Sequence, residues 1–186
     1  MDVHARRMTI SPAWLQVAIL TFVIGFGILG YLAYRIAWDH PPIPARVQAP
    51  GGEVLFTGED VLAGQHLFQR YGLMQFGTIF GHGAYLGPDF TAQYLHRAAG
   101  AMLERYQAGG LSRAEAAARV AAEWQANRYD PASRDLTFSE GQAWAFAEMT
   151  GFYRDWFGPA GAQRGLRRPH LADPAEVRQL TAYFAW

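Results

Sequence analysis

Val61-Leu62-Ala63-Gly64-Gln65-His66-Leu67-Phe68-Gln69-Arg70-Tyr71 is the stretch on which the fold turns. Val61, Gly64, Phe68 and Tyr71 share one face at helical spacing. Glycine inside a helix costs about 1 kcal/mol against alanine. Its compensation at Gly64 is room for another helix to approach that face closely. Just upstream, Thr57-Gly58-Glu59-Asp60 has the form of a capping box with Asp60 in the place of Glu. A helix is therefore expected from there to about Tyr71.

Working outward, start and stop signals predict further helices. One runs from about Asp89 to Gln107 and stops at Gly109-Gly110. Ser112 and Glu115 cap the next, which ends near Ala126. Residues 127–138 contain Asp130-Pro131 and read as a turn or small hairpin. Ser139 and Gln142 cap another helix, which Gly158-Pro159 ends. Asp173-Pro174-Ala175-Glu176 starts the last, with an N-cap Asp, Pro in the first turn and an early Glu. That helix finishes Leu-Thr-Ala-Tyr-Phe-Ala-Trp without a stop signal, so the chain reads as truncated. Residues 72–88 form a Gly-rich irregular segment. Residues 39–56, with Pro41, Pro42, Pro44, Pro50 and Gly51-Gly52, read as an extended linker.

Ahead of the linker, residues 9–34 carry no charge, and residues 14–34 are almost wholly apolar. About 20 such residues in a helix span a bilayer core. Arg6, Arg7 and Arg35 flank the run, with Trp14, Tyr31, Tyr34 and Trp38 near its ends as interfacial anchors. Gly25, Gly27 and Gly30 are compatible with a membrane helix and with close approach of a second. A buried soluble helix and a cleaved signal peptide are the alternatives. The run is long for either, and no small-x-small cleavage site follows it. An uncleaved anchor over residues 1–38 is the reading. Arg counts on the two sides tie; the short leader favours a cytoplasmic N-terminus and an exported remainder.

Composition narrows the chemistry. Sixteen basic and sixteen acidic residues cancel, which excludes a strongly basic nucleic-acid binder. All the basic residues are Arg, so neither a Lys Schiff base nor a P-loop is possible. There is no Cys, hence no disulfide, thiolate metal site or thioether-linked haem. The six histidines (His4, His40, His66, His82, His96 and His170) form no close pair, although His66, His82 and His96 could converge. No Ser/His/Asp set or paired-carboxylate site stands out. Trp144, Phe146, Phe152, Tyr153, Trp156 and Phe157 suggest core packing and docking before a quinone cleft. Arg164, Arg167 and Arg168 read as a solvated loop, with lipid headgroups or an anionic partner as alternatives.

The spacing of Gly64 and Phe68 resembles the first helix of cytochromes c, across which an aromatic pair of the last helix packs. Tyr183 and Phe184 would supply that pair here. The haem-attachment slot then falls on Leu73-Met74-Gln75-Phe76-Gly77, with no Cys and no His. By the same loose alignment, Arg168 stands at the pre-proline position where a Met ligand can occur. Gly81-His82-Gly83-Ala84-Tyr85-Leu86-Gly87-Pro88-Asp89-Phe90 resembles the G-x-G-A-Y-x-x-P-[DE] run of the nitric oxide reductases. The Tyr71–Gly77 stretch, Trp124-Gln125-Ala126-Asn127-Arg128-Tyr129-Asp130-Pro131 and the ending at Trp186 resemble the quinol-dependent type.

The resemblance implies a mainly α fold: a transmembrane helix, then a cytochrome c-like helical domain over residues 57–186 that lacks haem c, with a small hairpin or irregular insertion. It implies the N-terminal part of a quinol-dependent nitric oxide reductase in the bacterial inner membrane, with this domain on the periplasmic face. The segment alone would be non-catalytic and bind no cofactor by itself. Its partners would be the bilayer and a catalytic membrane-helix bundle carrying two b-type haems, non-haem iron and the quinol site. Gly83 and Tyr85 would offer a carbonyl and a phenolic oxygen to a calcium ion shared with that bundle. The alternative is a free-standing membrane-anchored binding or sensor module derived from a cytochrome c.

Overall fold

The computed structural model describes residues 11–38, 41–83, 87–158, 171 and 173–186. The chain divides into two compact units, residues 1–42 and 43–186. The first contains α1 (Pro12–Trp38), a helix of 27 residues with no buried position. It is long and apolar enough to cross a membrane by length and composition, with a mean hydropathy of 2.1 in its most apolar window. Arg35 lies in its last turn, where a cation complements the helix dipole.

The second unit is mainly helical. Its elements are β1 (Arg46–Gln48), β2 (Val54–Thr57), α2 (Gly58–Arg70), a 3-10 turn (Leu73–Gln75), β3 (Thr78–Ile79), β4 (His82–Gly83), α3 (Phe90–Ala108), α4 (Arg113–Gln125), β5 (Tyr129–Asp130), β6 (Asp135–Thr137), α5 (Glu140–Phe157) and α6 (Pro174–Ala185). Local capping chemistry sets the helix starts. Thr57 with Asp60, Ser112 with Glu115, and Ser139 with Gln142 form reciprocal capping boxes. Asp89 and Asp173 cap α3 and α6 through single acceptors to Ala92 and Ala175.

Residues 39–56, read from their prolines as a linker, contain β1 and most of β2. The folded unit begins at Ile43. β1 pairs antiparallel with β2 and parallel with β6, and β5 pairs antiparallel with β6, giving the order β2-β1-β6-β5. The Arg46 guanidinium donates to both oxygens of Asp135 at 3.1 and 2.7 Å, tying the two parallel strands. The hairpin expected over residues 127–138 is β5–β6. Inside residues 72–88 a second small sheet, β3–β4, forms.

The core lies where α2, α3, α5 and α6 meet. Phe184 stacks on Phe90 at 4.8 Å and meets Tyr153 edge-on at 5.0 Å. Phe68 packs against Phe90, Tyr183 and Phe184 at 5.8–6.2 Å. Phe157 closes the cluster beside Phe90. α6 crosses α2 at Gly64: a Cβ there would overlap the Gln179 carbonyl oxygen and lie 2.8 Å from Tyr183 Cβ. The glycine therefore admits the terminal helix at backbone contact. Tyr71 Oη donates to Glu176 at 2.7 Å and fixes the same crossing at its end.

Candidate functional site

The candidate site is the loop joining α2 to α3. Gly72, at φ +61, turns the chain out of α2 into the 3-10 turn. Leu73 points inward and is fully buried, whereas Met74 is half exposed. Leu73 is the first residue of the stretch that the resemblance assigns to haem attachment, and it lies in the core. The aromatic rings of Phe68, Phe90, Tyr153, Phe157 and Phe184 belong to the same buried core. Burial pushes the Tyr153 phenol far up, so it stays neutral, and its hydroxyl donates to the Phe90 carbonyl at 3.3 Å.

Beyond the 3-10 turn, β3 and β4 pair over only two residues each, Thr78 with Gly83 and Ile79 with His82. So short a ribbon needs outside support. Asp89 supplies it. One carboxylate oxygen accepts the Ala92 N–H at 2.9 Å, capping α3. The other accepts the Thr78 hydroxyl at 2.7 Å and the Gly81 N–H at 2.5 Å. Thr78 also donates its N–H to the Pro88 carbonyl at 3.0 Å, and Phe80 its N–H to the Thr91 hydroxyl at 3.4 Å. Burial pushes the Asp89 carboxyl up. The donors from Ala92, Thr78, Gly81 and Thr91 outweigh it and hold the group below its ordinary value.

Gly83 is exposed at φ +145. A Cβ there would overlap the Gly77 carbonyl oxygen and sit 3.3 Å from that of Met74. Glycine is required on both counts. Gly87 is required for the second reason alone, since its Cβ would overlap the Phe76 carbonyl oxygen. Tyr85, the other residue assigned to calcium, lies outside the described residues, with Ala84 and Leu86.

Calcium takes six to eight oxygens, usually with carboxylates among them. The described part of this loop offers the neutral Gly83 carbonyl. The carboxylate that grips the loop, Asp89, has both oxygens engaged by donors. Among the described residues no group of three His, Asp or Glu could hold a metal. His66, His82 and His96 are all described, and they form no such group. One neutral carbonyl does not by itself make a calcium site, so any further ligands, charged ones included, would have to come from outside the described residues. His4, His40 and His170 lie outside the described residues, as do Arg164, Arg167 and Arg168.

Of the aromatic set on α5, Phe146, Tyr153 and Phe157 are buried in the core, and Trp144, Phe152 and Trp156 pack partly exposed against it. Arg97 stacks over Phe152 at 4.1 Å and Arg105 over Trp144 at 5.0 Å. These contacts favour packing over a quinone cleft for the described rings.

A second polar centre has little signature in the sequence. Glu123, near the end of α4, accepts from Tyr106 on α3 at 2.6 Å, from Arg119 at 3.1 Å and, at a short distance, from Ser139 at the start of α5. The Arg128 guanidinium donates to the Glu123 backbone carbonyl at 2.7 Å. The local signal that could have found it is the four-residue spacing of Arg119 and Glu123. The arrangement ties three helices together, and its chemistry is structural.

No curated protein matches this chain. A family model does, over residues 44–186: the cytochrome c-like domain of NorB, a component of nitric oxide reductase. The matched span begins one residue after the start of the folded unit and covers the Gly64 crossing, the Gly-rich loop and the aromatic core. The chain belongs to the NorB cytochrome c-like domain family of the nitric oxide reductases.

Proposed function

We propose that this chain is the membrane-anchored, haem-less structural domain of a quinol-dependent nitric oxide reductase. The complete enzyme would reduce two NO with two electrons and two protons to N₂O and water. The catalytic bundle, with two b-type haems and non-haem iron, would carry out that chemistry. This domain would cover the bundle on the periplasmic side of the bacterial inner membrane and exclude solvent from it.

The observation that carries the reading is the attachment slot. In a chain of a cytochrome c-like family, Leu73 stands first in the slot that the resemblance assigns to haem attachment, and it is buried in the same core as five packed aromatic side chains. With no Cys anywhere in the chain, covalent haem c cannot form. Electrons would then enter through the bundle from quinol, and the domain's part would be mechanical. α1 supports membrane attachment. Gly83, with Tyr85, would lend neutral oxygens to a calcium ion at the junction, where haem propionates and a carboxylate of the bundle would supply the charge.

The test is to purify the complete enzyme from its native membrane through a tag on this domain. NO consumption is then assayed with a quinol and, separately, with reduced cytochrome c. Turnover with quinol, b-type haem and no c-type haem are the expected results. Turnover with cytochrome c alone would refute the quinol assignment. A protein with neither b-type haem nor NO consumption would favour a free-standing binding or sensor module.

A further inference from the structure

We propose that the tip of the β3–β4 hairpin is a membrane-contact point: the Phe80 ring, with Leu95 beside it, inserts at the lipid interface of the bilayer that α1 crosses. The proposal rests on α1 as a membrane anchor and needs neither the quinol nor the calcium reading.

The strain at Phe80 is the first observation. Phe80 is 60% exposed. It holds φ +50, and Gly81 after it holds φ +76. Positive φ at both central residues of a two-residue hairpin loop is the setting that Asn and Gly fill without strain. A bulky ring there is an outlier. Phe80 gains neither burial nor a comfortable backbone, the mark of a residue that serves a contact outside its own fold.

The ring is also held out on a fixed support. The Phe80 N–H donates to the Thr91 hydroxyl at 3.4 Å and the Gly81 N–H to Asp89 at 2.5 Å, so both turn residues are tied to the start of α3. Ile79, just before the turn, is buried. Leu95 follows Thr91 by four residues on α3, hence on the same face, and is 49% exposed. Charge then favours lipid as the occupant. Residues 71–103 contain a single carboxylate, Asp89, and both its oxygens accept from protein donors. His82, His96 and Arg97 are exposed. An apolar tip with cationic or neutral neighbours and no free carboxylate suits an anionic membrane interface. Only residues 39–42 separate α1 from the folded unit. A chain extends at most about 3.6 Å per residue, so the unit is tethered at the surface of any bilayer that α1 crosses.

The chain has no Cys, so one introduced Cys carries a nitroxide label at a known place. Phe80→Cys and His82→Cys would report on the tip, Ala132→Cys on the exposed β5–β6 turn as a reference, and Ile24→Cys on α1. Each 186-residue chain would be labelled and placed in nanodiscs of phosphatidylcholine and phosphatidylglycerol. Relaxation of the label by O₂, which concentrates in lipid, is compared with relaxation by a water-soluble nickel chelate.

The labels at 80 and 82 should favour O₂ over nickel several-fold more than the label at 132. Phe80→Gly, added to the chain labelled at 82, should return that ratio to the reference value. The same substitution should leave the thermal midpoint unchanged or raise it, because glycine accepts positive φ. Equal ratios at 80, 82 and 132 would overturn the proposal. A midpoint that falls with Phe80→Gly would make the ring a packing residue and overturn it too. Low access of both reagents to the label at 80 would mark a protein contact in place of lipid. A label at 24 open to nickel would remove the anchor, and the proposal with it. None of these results bears on the quinol or haem assignments of the complete enzyme.

Discussion

At Gly64 a single hydrogen atom decides whether two helices can touch. A methyl group there would overlap the Gln179 carbonyl and crowd Tyr183, both fixed by α6. Gly64→Ala gains helix propensity of about 1 kcal/mol, but overpacking of this kind costs about 1–3 kcal/mol. Net destabilisation is expected, larger for Gly64→Leu, and denaturant titration of the chain measures it. Equal or greater stability of Gly64→Ala would mean that α6 does not cross here. Glu123 offers a test of the opposite sort, by pH. Burial pushes its carboxyl up, but the donors from Ser139, Tyr106 and Arg119 more than reverse this and hold it below the ordinary value. Its partner Tyr106, partly buried and hydrogen-bonded to Glu123, is pushed up to about 12. A depressed carboxyl contributes stability above its unfolded value of about 4.3, and loses it as pH falls through the folded value. The wild type should therefore lose this contribution only in acid. Glu123→Gln should cost about 1–3 kcal/mol at pH 7, and the gap between the two proteins should narrow below about pH 4. A gap that does not change with pH would remove the ionised carboxylate from the account.

Among the elements, α6 closes the core against α2, α3 and α5. Its 12 residues bury Val177, Leu180, Thr181, Ala182 and Phe184. Phe184 alone touches Phe68, Phe90, Tyr153 and Phe157. Phe184→Ala should cost about 3–5 kcal/mol, read as a lower denaturant midpoint. The helices and their caps were legible in the sequence because the signals are local: a Ser or Thr and, three positions later, Glu, Gln or Asp. The crossing at Gly64 was legible because an unfavourable helix residue needed a reason. β1 was not, since its parallel partner β6 lies 89 residues away in register and the prolines that flank it carry the signature of extended chain with or without a neighbour. Two-residue strands such as β3 and β4 have no periodicity to read. For the site, the requirement for glycine at 83 and 87 was visible as a Gly-rich motif. The grip of Asp89 on Thr78 and Gly81 was not, because a helix-capping Asp shows only its cap in the sequence.

At the scale of the molecule, α1 and the folded unit from Ile43 onward make separate predictions. With α1 present, the chain should stay with membranes through an alkaline carbonate wash; without residues 1–42, residues 43–186 should be released. Release of the intact chain would rule out the anchor. The folded unit is a cytochrome c-like domain with a core packed by side chains and no Cys to attach a haem, so it should hold none. The measurement that tests this most directly is the visible spectrum of the chain purified from cells that make cytochromes c, before and after reduction with dithionite and after acid–acetone extraction. No Soret band and no reduced α-band are expected at any step. A stoichiometric Soret band that is lost when His66 or His82 is replaced would contradict this account, because the domain would then hold a haem by non-covalent coordination.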